Sequence, residues 1–178
     1  MILNQDNSMV LMVDVQEKLV NAVFNKEQVI KNAGIITKAA SILCLPLFVT
    51  EQYPQGLGET IEDFKEGAEE IFIKTSFSAL EDAKLVAKLH NMEKKQVIVF
   101  GIETHICVHQ TVATLLKAGF EVTVVSNACG SRSEYEYQLG LENMKQNGAK
   151  IKSAEMILFE LLKGAKHPCF KDIQALIK

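Results

Sequence analysis

No stretch of this 178-residue chain approaches the ~20 consecutive apolar residues that a membrane-spanning helix needs. Residues 1–13 carry no basic segment and no small-residue cleavage site, so a secretory leader is not expected. Charge of one sign is also lacking. A formal net charge of −3 and a pI near 5.8 argue against general binding to nucleic acid or to an anionic membrane. The four cysteines, Cys44, Cys107, Cys129 and Cys169, include no CxxC pair, which removes the usual zinc spacing. A disulfide framework is not needed in a domain of this size. After the first apolar run, Asp14-Val15-Gln16-Glu17-Lys18 contains no glycine, so neither GxGxxG nor GxxxxGK is there to cradle a phosphate. GxSxG is missing too, which removes the common serine-hydrolase elbow. What remains is a cytoplasmic protein acting on a small molecule, with no cofactor, metal, nucleic-acid or membrane partner.

What is present reads as one domain over residues 1–178. Apolar residues make up 48% and charged residues 23%, enough of the former for a large core and of the latter for a wetted surface. Residues 9–15 form a short, almost unbroken apolar run, the pattern of a strand buried on both faces. Further strands are predicted at 46–50, 70–74, 95–101, 121–126 and 150–153, with helices at 27–43, 80–91, 133–147, 154–163 and 170–177 between and after them. Another helix is expected to start near Cys107 and stop at Gly119, and 51–67 reads as a loop with a short helical piece. This alternation implies a three-layer α/β/α sandwich around a mostly parallel, six-stranded, doubly wound sheet of order 3-2-1-4-5-6. In open sheets of this kind ligands sit beyond the carboxyl ends of the strands.

Three of those ends carry reactive side chains. Asp14 closes the first strand, Lys74 closes the third after Ile71-Phe72-Ile73, and Cys107 follows the fourth. A carboxylate, an ammonium and a thiol meeting there suit covalent acyl transfer, with Asp14 as base, Lys74 as electrostatic partner and Cys107 as nucleophile. A thiol at a helix N-terminus would be stabilised as thiolate by the backbone N–H groups and the macrodipole. On that view Cys107 alkylates fast at neutral pH and stops doing so in Asp14→Asn. Each residue also has a plain reading: a helix cap for Asp14, a solvated strand end for Lys74, an inert buried thiol for Cys107. Cys44 and Cys169 read as packing residues, and Cys129 as one that could approach a cleft.

Four segments together carry a family resemblance. They are Val10-Leu11-Met12-Val13-Asp14-Val15-Gln16, the stretch from Thr50-Glu51-Gln52-Tyr53-Pro54 to Gly58, Lys74-Thr75-Ser76-Phe77-Ser78, and Gly101-Ile102-Glu103-Thr104-His105-Ile106-Cys107-Val108. In order and spacing the chain resembles the isochorismatase-like cysteine hydrolases over essentially its full length, most of all the branch called isochorismatase domain-containing proteins. The resemblance implies a catalytic triad of Asp14, Lys74 and Cys107. It also implies a cis peptide between Ile102 and Glu103 that turns the Glu103 and Cys107 backbone N–H groups toward one oxyanion. Similar nicotinamidases carry an Asp-x-His metal motif after the second strand, but residues 50–74 here contain no histidine. Isochorismatases cleave a vinyl ether without needing a thiol, so an intact Cys107 favours an amide, a carbamoyl compound or a related carbonyl substrate. Vinyl-ether hydrolysis, and a non-catalytic binding or scaffold protein on the same fold, are the alternatives.

Substrate contacts are expected from Gln16, Gln52, Tyr53, Phe77 and Thr104. For Gln16 the other reading is a turn residue, and for Phe77 core packing. Glu103 could present its side chain near the nucleophile or contribute only its amide. Arg132 could meet an anionic substrate or sit in a surface salt bridge. His105 and His109, one helical turn apart, have spacing that could hold a metal, but read better as solvent or interface histidines. The last helices carry more Ile and Leu (Ile157, Leu158, Leu161, Leu162, Ile173, Leu176) than one face needs, and relatives assemble, so a homo-oligomer is expected.

Overall fold

The computed structural model describes residues 2–178. Six strands form one sheet: β1 (Ser8–Val13), β2 (Leu47–Gln52), β3 (Glu70–Lys74), β4 (Gln96–Ile102), β5 (Glu121–Gly130) and β6 (Lys150–Lys152). All neighbours pair in parallel and their order is β3-β2-β1-β4-β5-β6. Among the described residues eight α-helices accompany them: α1 (Glu17–Ala22), α2 (Lys26–Ile42), α3 (Pro54–Leu57), α4 (Ala83–Asn91), α5 (His109–Lys117), α6 (Glu134–Gln146), α7 (Ala154–Leu162) and α8 (Phe170–Leu176). The α2 helix packs with α7 and α8, whereas α5 packs with α6. No helix of the described residues is long and apolar enough to cross a membrane.

The central strands β1 and β4 are buried at every position, as helices on both faces require. The edge strand β3 instead alternates, with Phe72 and Lys74 turned inward and Ile71 and Ile73 outward. Period-two alternation therefore delivers Lys74 to the interior side of a strand that faces water on the other.

Several expectations need correction. The segment after Gln16 forms the unforeseen α1, and β5 runs on to Gly130 because its last residues pair with Gly101 and Ile102. Cys44 is exposed, not packed. It sits just past the end of α2 with φ +52, a turn geometry that lifts it off the core. The terminal-helix residues Ile157, Leu158, Leu161, Leu162 and Ile173 are buried against the core, so they supply no surplus apolar face for assembly.

Gly101 lies where β4 passes closest to β1. A Cβ built there would lie 1.9 Å from the Val13 carbonyl oxygen, and its φ of +140° suits only glycine. That contact sits one residue before Asp14.

Candidate active site

Strand register alone aligns the ends of β1 to β4. Val13 pairs with both Thr50 and Gly101, and Gln52 pairs with Lys74. The order reverses between β1 and β4, the position where open α/β sheets open a crevice. Asp14 leaves β1 in a left-handed conformation, φ +52, which is uncommon for a residue with a side chain. Its N–H stays on the Thr50 carbonyl at 3.1 Å.

The Asp14 carboxylate is fully buried and doubly held. Thr50 Oγ1 donates to Oδ1 at 2.7 Å, and Lys74 Nζ donates to Oδ2 at 2.7 Å. The ion pair is sealed from solvent, with side-chain exposures of 2% for Lys74 and 0% for Asp14. Lys74 also donates to Gln52 Oε1 at 2.7 Å and to the Ser76 and Phe77 carbonyls at 3.1 Å each. An ammonium so fully engaged is fixed in place, and Asp14 with it. Thr50 and the two carbonyls went unnoticed in the sequence reading. Thr50 ended the predicted second strand and opened one of the four family segments, but neither position gave it a role.

Cys107 lies in a π-helical turn, Thr104–Val108, that follows the cis Ile102–Glu103 peptide and leads into α5. The expected α-helical N-terminus at the thiol is thus corrected: α5 begins only at His109. The turn is closed by Val108 and Ile106 N–H groups donating to the Glu103 carbonyl. Burial leaves 6% of Cys107 exposed and pushes its thiol up to about 12. The negative charge of Asp14 and a hydrogen bond to it raise the thiol further, while the Lys74 charge and the Glu103 backbone N–H pull the other way. The resting sulfur is therefore a neutral thiol beside a carboxylate, not the preformed thiolate expected from a helix dipole. Desolvation and the Asp14 charge outweigh the stabilising groups.

The structure thus brings Asp14, Lys74 and Cys107 into one electrostatically coupled cluster. The other expected contacts divide. Gln16 is buried, its Oε1 accepting the Gln52 N–H and its Nε2 donating to the Gln52 and Gly58 carbonyls, so it staples the loop and has nothing left for a ligand. Thr104 is likewise buried, donating to the Gly130 carbonyl at 2.9 Å. Gln52 spends its amide on Lys74 and the Thr75 carbonyl. Tyr53 and Phe77 remain half open, 54% and 53% exposed, on either side of Lys74 in sequence contact with its partners. Cys129 is fully buried behind Gly101 and reaches no cleft. Arg132 pairs with Glu103 at 3.1 Å. His109 bonds Asn143 and His105 bonds Ser131, two separate attachments.

A surface cavity of about 520 Å³ lies elsewhere, between α2, the end of β5 and α7, and contains none of Asp14, Lys74 and Cys107. Its wall mixes the charged Glu27, Lys31 and Glu155 with amides, of which Asn127 donates to Asn32 and accepts from the Ala154 N–H. It holds no thiol and no buried ion pair like that of Asp14 and Lys74, so the cysteine cluster is the better candidate.

Comparison with known proteins agrees with this fold. The Isochorismatase domain family matches residues 8–156. Isochorismatase domain-containing protein 2 of Danio rerio is 38% identical over 178 residues, covering 98% of this chain and 89% of its own. A solved structure described as MAR1 ribonuclease from Caenorhabditis elegans superposes with a TM-score of 0.94 at 38% identity, covering 99% of this chain and 92% of that one. The YcaC gene product of Escherichia coli, described as an octameric hydrolase of unknown specificity, shares the fold with a TM-score of 0.88 at 22% identity, covering 99% and 94% of the two chains. With the sheet order, the clustered strand ends and these full-length matches together, the chain belongs to the isochorismatase family.

Proposed function

We propose that this protein is a cysteine hydrolase of small amide, carbamoyl or related carbonyl compounds, working through a thioester on Cys107. One observation carries the reading: a buried thiol, kept protonated by burial and by the Asp14 charge, beside a carboxylate that Thr50 and Lys74 hold in place. A thiol in that state needs a base at the moment of attack, and Asp14 is the base within reach.

In this cycle the Cys107 proton passes to Asp14 as sulfur bonds to the carbonyl carbon. The oxyanion that forms is met by backbone N–H groups of Glu103 and Cys107. As the C–N bond breaks, Asp14 returns the proton to the leaving nitrogen. Water then gives a proton to Asp14 and its hydroxyl displaces sulfur, which takes the proton back as the acid departs. Lys74 offsets the charge that grows on sulfur. Tyr53 and Phe77, exposed beside Lys74, supply an apolar wall for the substrate.

RNA cleavage is a second reading, favoured by the name of the similar Caenorhabditis elegans structure. A phosphodiester would approach Asp14 on a chain of net charge −3, which suits a neutral carbonyl better. Incubating the protein with a panel of amides, carbamoyl compounds, vinyl ethers and a short RNA distinguishes them. The expected result is an acyl adduct on Cys107, seen by intact-mass spectrometry after acid quench and missing in Cys107→Ser. Turnover without any adduct, or equal turnover in Cys107→Ser, rejects the thioester. Binding without turnover of any compound would make this a binding protein.

We read the exposed apolar side chains Ile71 and Ile73 on the outward face of β3 as a contact between copies of the chain. Light scattering coupled to size exclusion should give a mass at least twice the 19.8 kDa of one chain. A monomer mass at tens of micromolar would refute it.

A further inference from the structure

Three consecutive residues entering the cysteine turn are tied by their side chains to three consecutive residues at the end of β5 and just beyond it. Arg132 Nε lies 3.1 Å and 3.2 Å from the two Glu103 oxygens. Thr104 Oγ1 donates to the Gly130 carbonyl. His105 Nδ1 lies 3.0 Å from Ser131 Oγ, and its Nε2 faces Glu103 at 3.4 Å and Glu136 at 3.9 Å. The α6 helix closes on the same turn, since a Cβ at Gly140 would come within 3.0 Å of the His105 Cα. Meanwhile the Glu103 carbonyl accepts from the Ile106 and Val108 N–H groups that close the turn around Cys107, and the Glu103 backbone favours the charged form of that thiol. A buried carboxylate is costly unless partnered, and the proposed cycle takes no proton from Glu103.

We propose that Glu103 is a positioning residue whose carboxylate, clamped by Arg132 and His105, holds its own peptide N–H against Cys107. The clamp works at both ends of one residue. The side chain is anchored to the β5–α6 connection, so the main chain cannot swing away when charge develops on sulfur or on a substrate oxygen. A backbone donor has no side-chain torsion to lock it, and anchoring its neighbours is how its direction is kept. The purpose assigned to this clamp rests on the hydrolase reading. Its test reads the sulfur and not turnover, so the two can fail separately.

The test is the rate of iodoacetamide labelling of Cys107 at pH 9 in Glu103→Gln and Arg132→Ala, followed by mass spectrometry of the peptide. Simple charge effects predict opposite signs. Losing the Glu103 negative charge would favour the thiolate and speed labelling, whereas losing Arg132 would slow it. Loss of a positioned donor slows both, by about fivefold each, the worth of one hydrogen bond. Buried Cys129 is the internal control, because it labels faster only if the fold opens. Glu103→Gln preserves volume and is decisive alone: slower labelling of Cys107 with Cys129 unchanged supports the clamp. Labelling of Cys107 in Glu103→Gln at the original rate or faster overturns it, as does slowing that appears only together with Cys129 labelling.

Discussion

Asp14→Asn should lower turnover of any amide this protein hydrolyses by on the order of 10³-fold or more, while making Cys107 easier to alkylate. The two effects diverge because Asp14 acts on the sulfur in two ways. Its charge and its hydrogen bond both raise the thiol, which burial has already pushed up to about 12. Removing that charge lowers the thiol, so at pH 9 more thiolate is present and iodoacetamide labels on the order of tenfold faster. In the proposed cycle the same change removes the group that accepts the thiol proton and returns it to the leaving nitrogen. Reactivity toward a reagent with a good leaving group rises as hydrolysis collapses. This reverses the expectation from sequence that alkylation stops in Asp14→Asn. For the original protein, labelling should be slow at pH 7 and climb about tenfold per pH unit up to the thiol's own range. Labelling that falls in Asp14→Asn along with turnover would place the proton elsewhere.

The variant also leaves Lys74 buried without its counter-charge, although Gln52 and two carbonyls still accept from it. Breaking one side of a buried ion pair costs about 3 kcal/mol or more. Kinetics should therefore be run well below the lowered melting temperature, with circular dichroism confirming that the chain is folded.

Gly101→Ala is the second large effect, and it falls on stability. A methyl at this position would sit 1.9 Å from the Val13 carbonyl oxygen, 2.7 Å from its carbon and 2.9 Å from its nitrogen, all backbone of the central strand. No side-chain rotation relieves that overlap. Either β1 and β4 separate or the φ of +140° is abandoned, and both break parallel pairing in the middle of the sheet. The expected loss is about 4 kcal/mol, which for a chain of this size lowers the melting temperature by roughly 8–16 °C. Calorimetry or a thermal melt measures it directly. Activity should fall as well, since Val13 precedes Asp14. A melting temperature within about 2 °C of the original would mean the strands accommodate the methyl, against the rigid-sheet account.

Much of this architecture was readable from composition and periodicity. Apolar runs with no charge announced β1 and β4, because strands covered on both faces must be apolar throughout. Period two on β3 and period 3.6 on the helices placed the other elements, and the order 3-2-1-4-5-6 followed from the resemblance and the parallel connections. The π-helical turn at Cys107 was not readable, because its hydrogen bonds run one residue longer than an α-helix within the same residues. Nor was α1, whose six residues are too few to show a period.

The linear chain thus determined which side chains end the strands, and so which reactive groups could meet: Asp14, Lys74 and Cys107. Only the tertiary structure decided their states. Burial and a neighbouring carboxylate keep Cys107 protonated, Thr50 and two loop carbonyls pin the Asp14–Lys74 pair, and Arg132 reaches across to Glu103. The reason is physical: strand periodicity is a property of near neighbours along the chain. Desolvation, charge and hydrogen-bond partnership instead depend on atoms that folding brings together from distant positions.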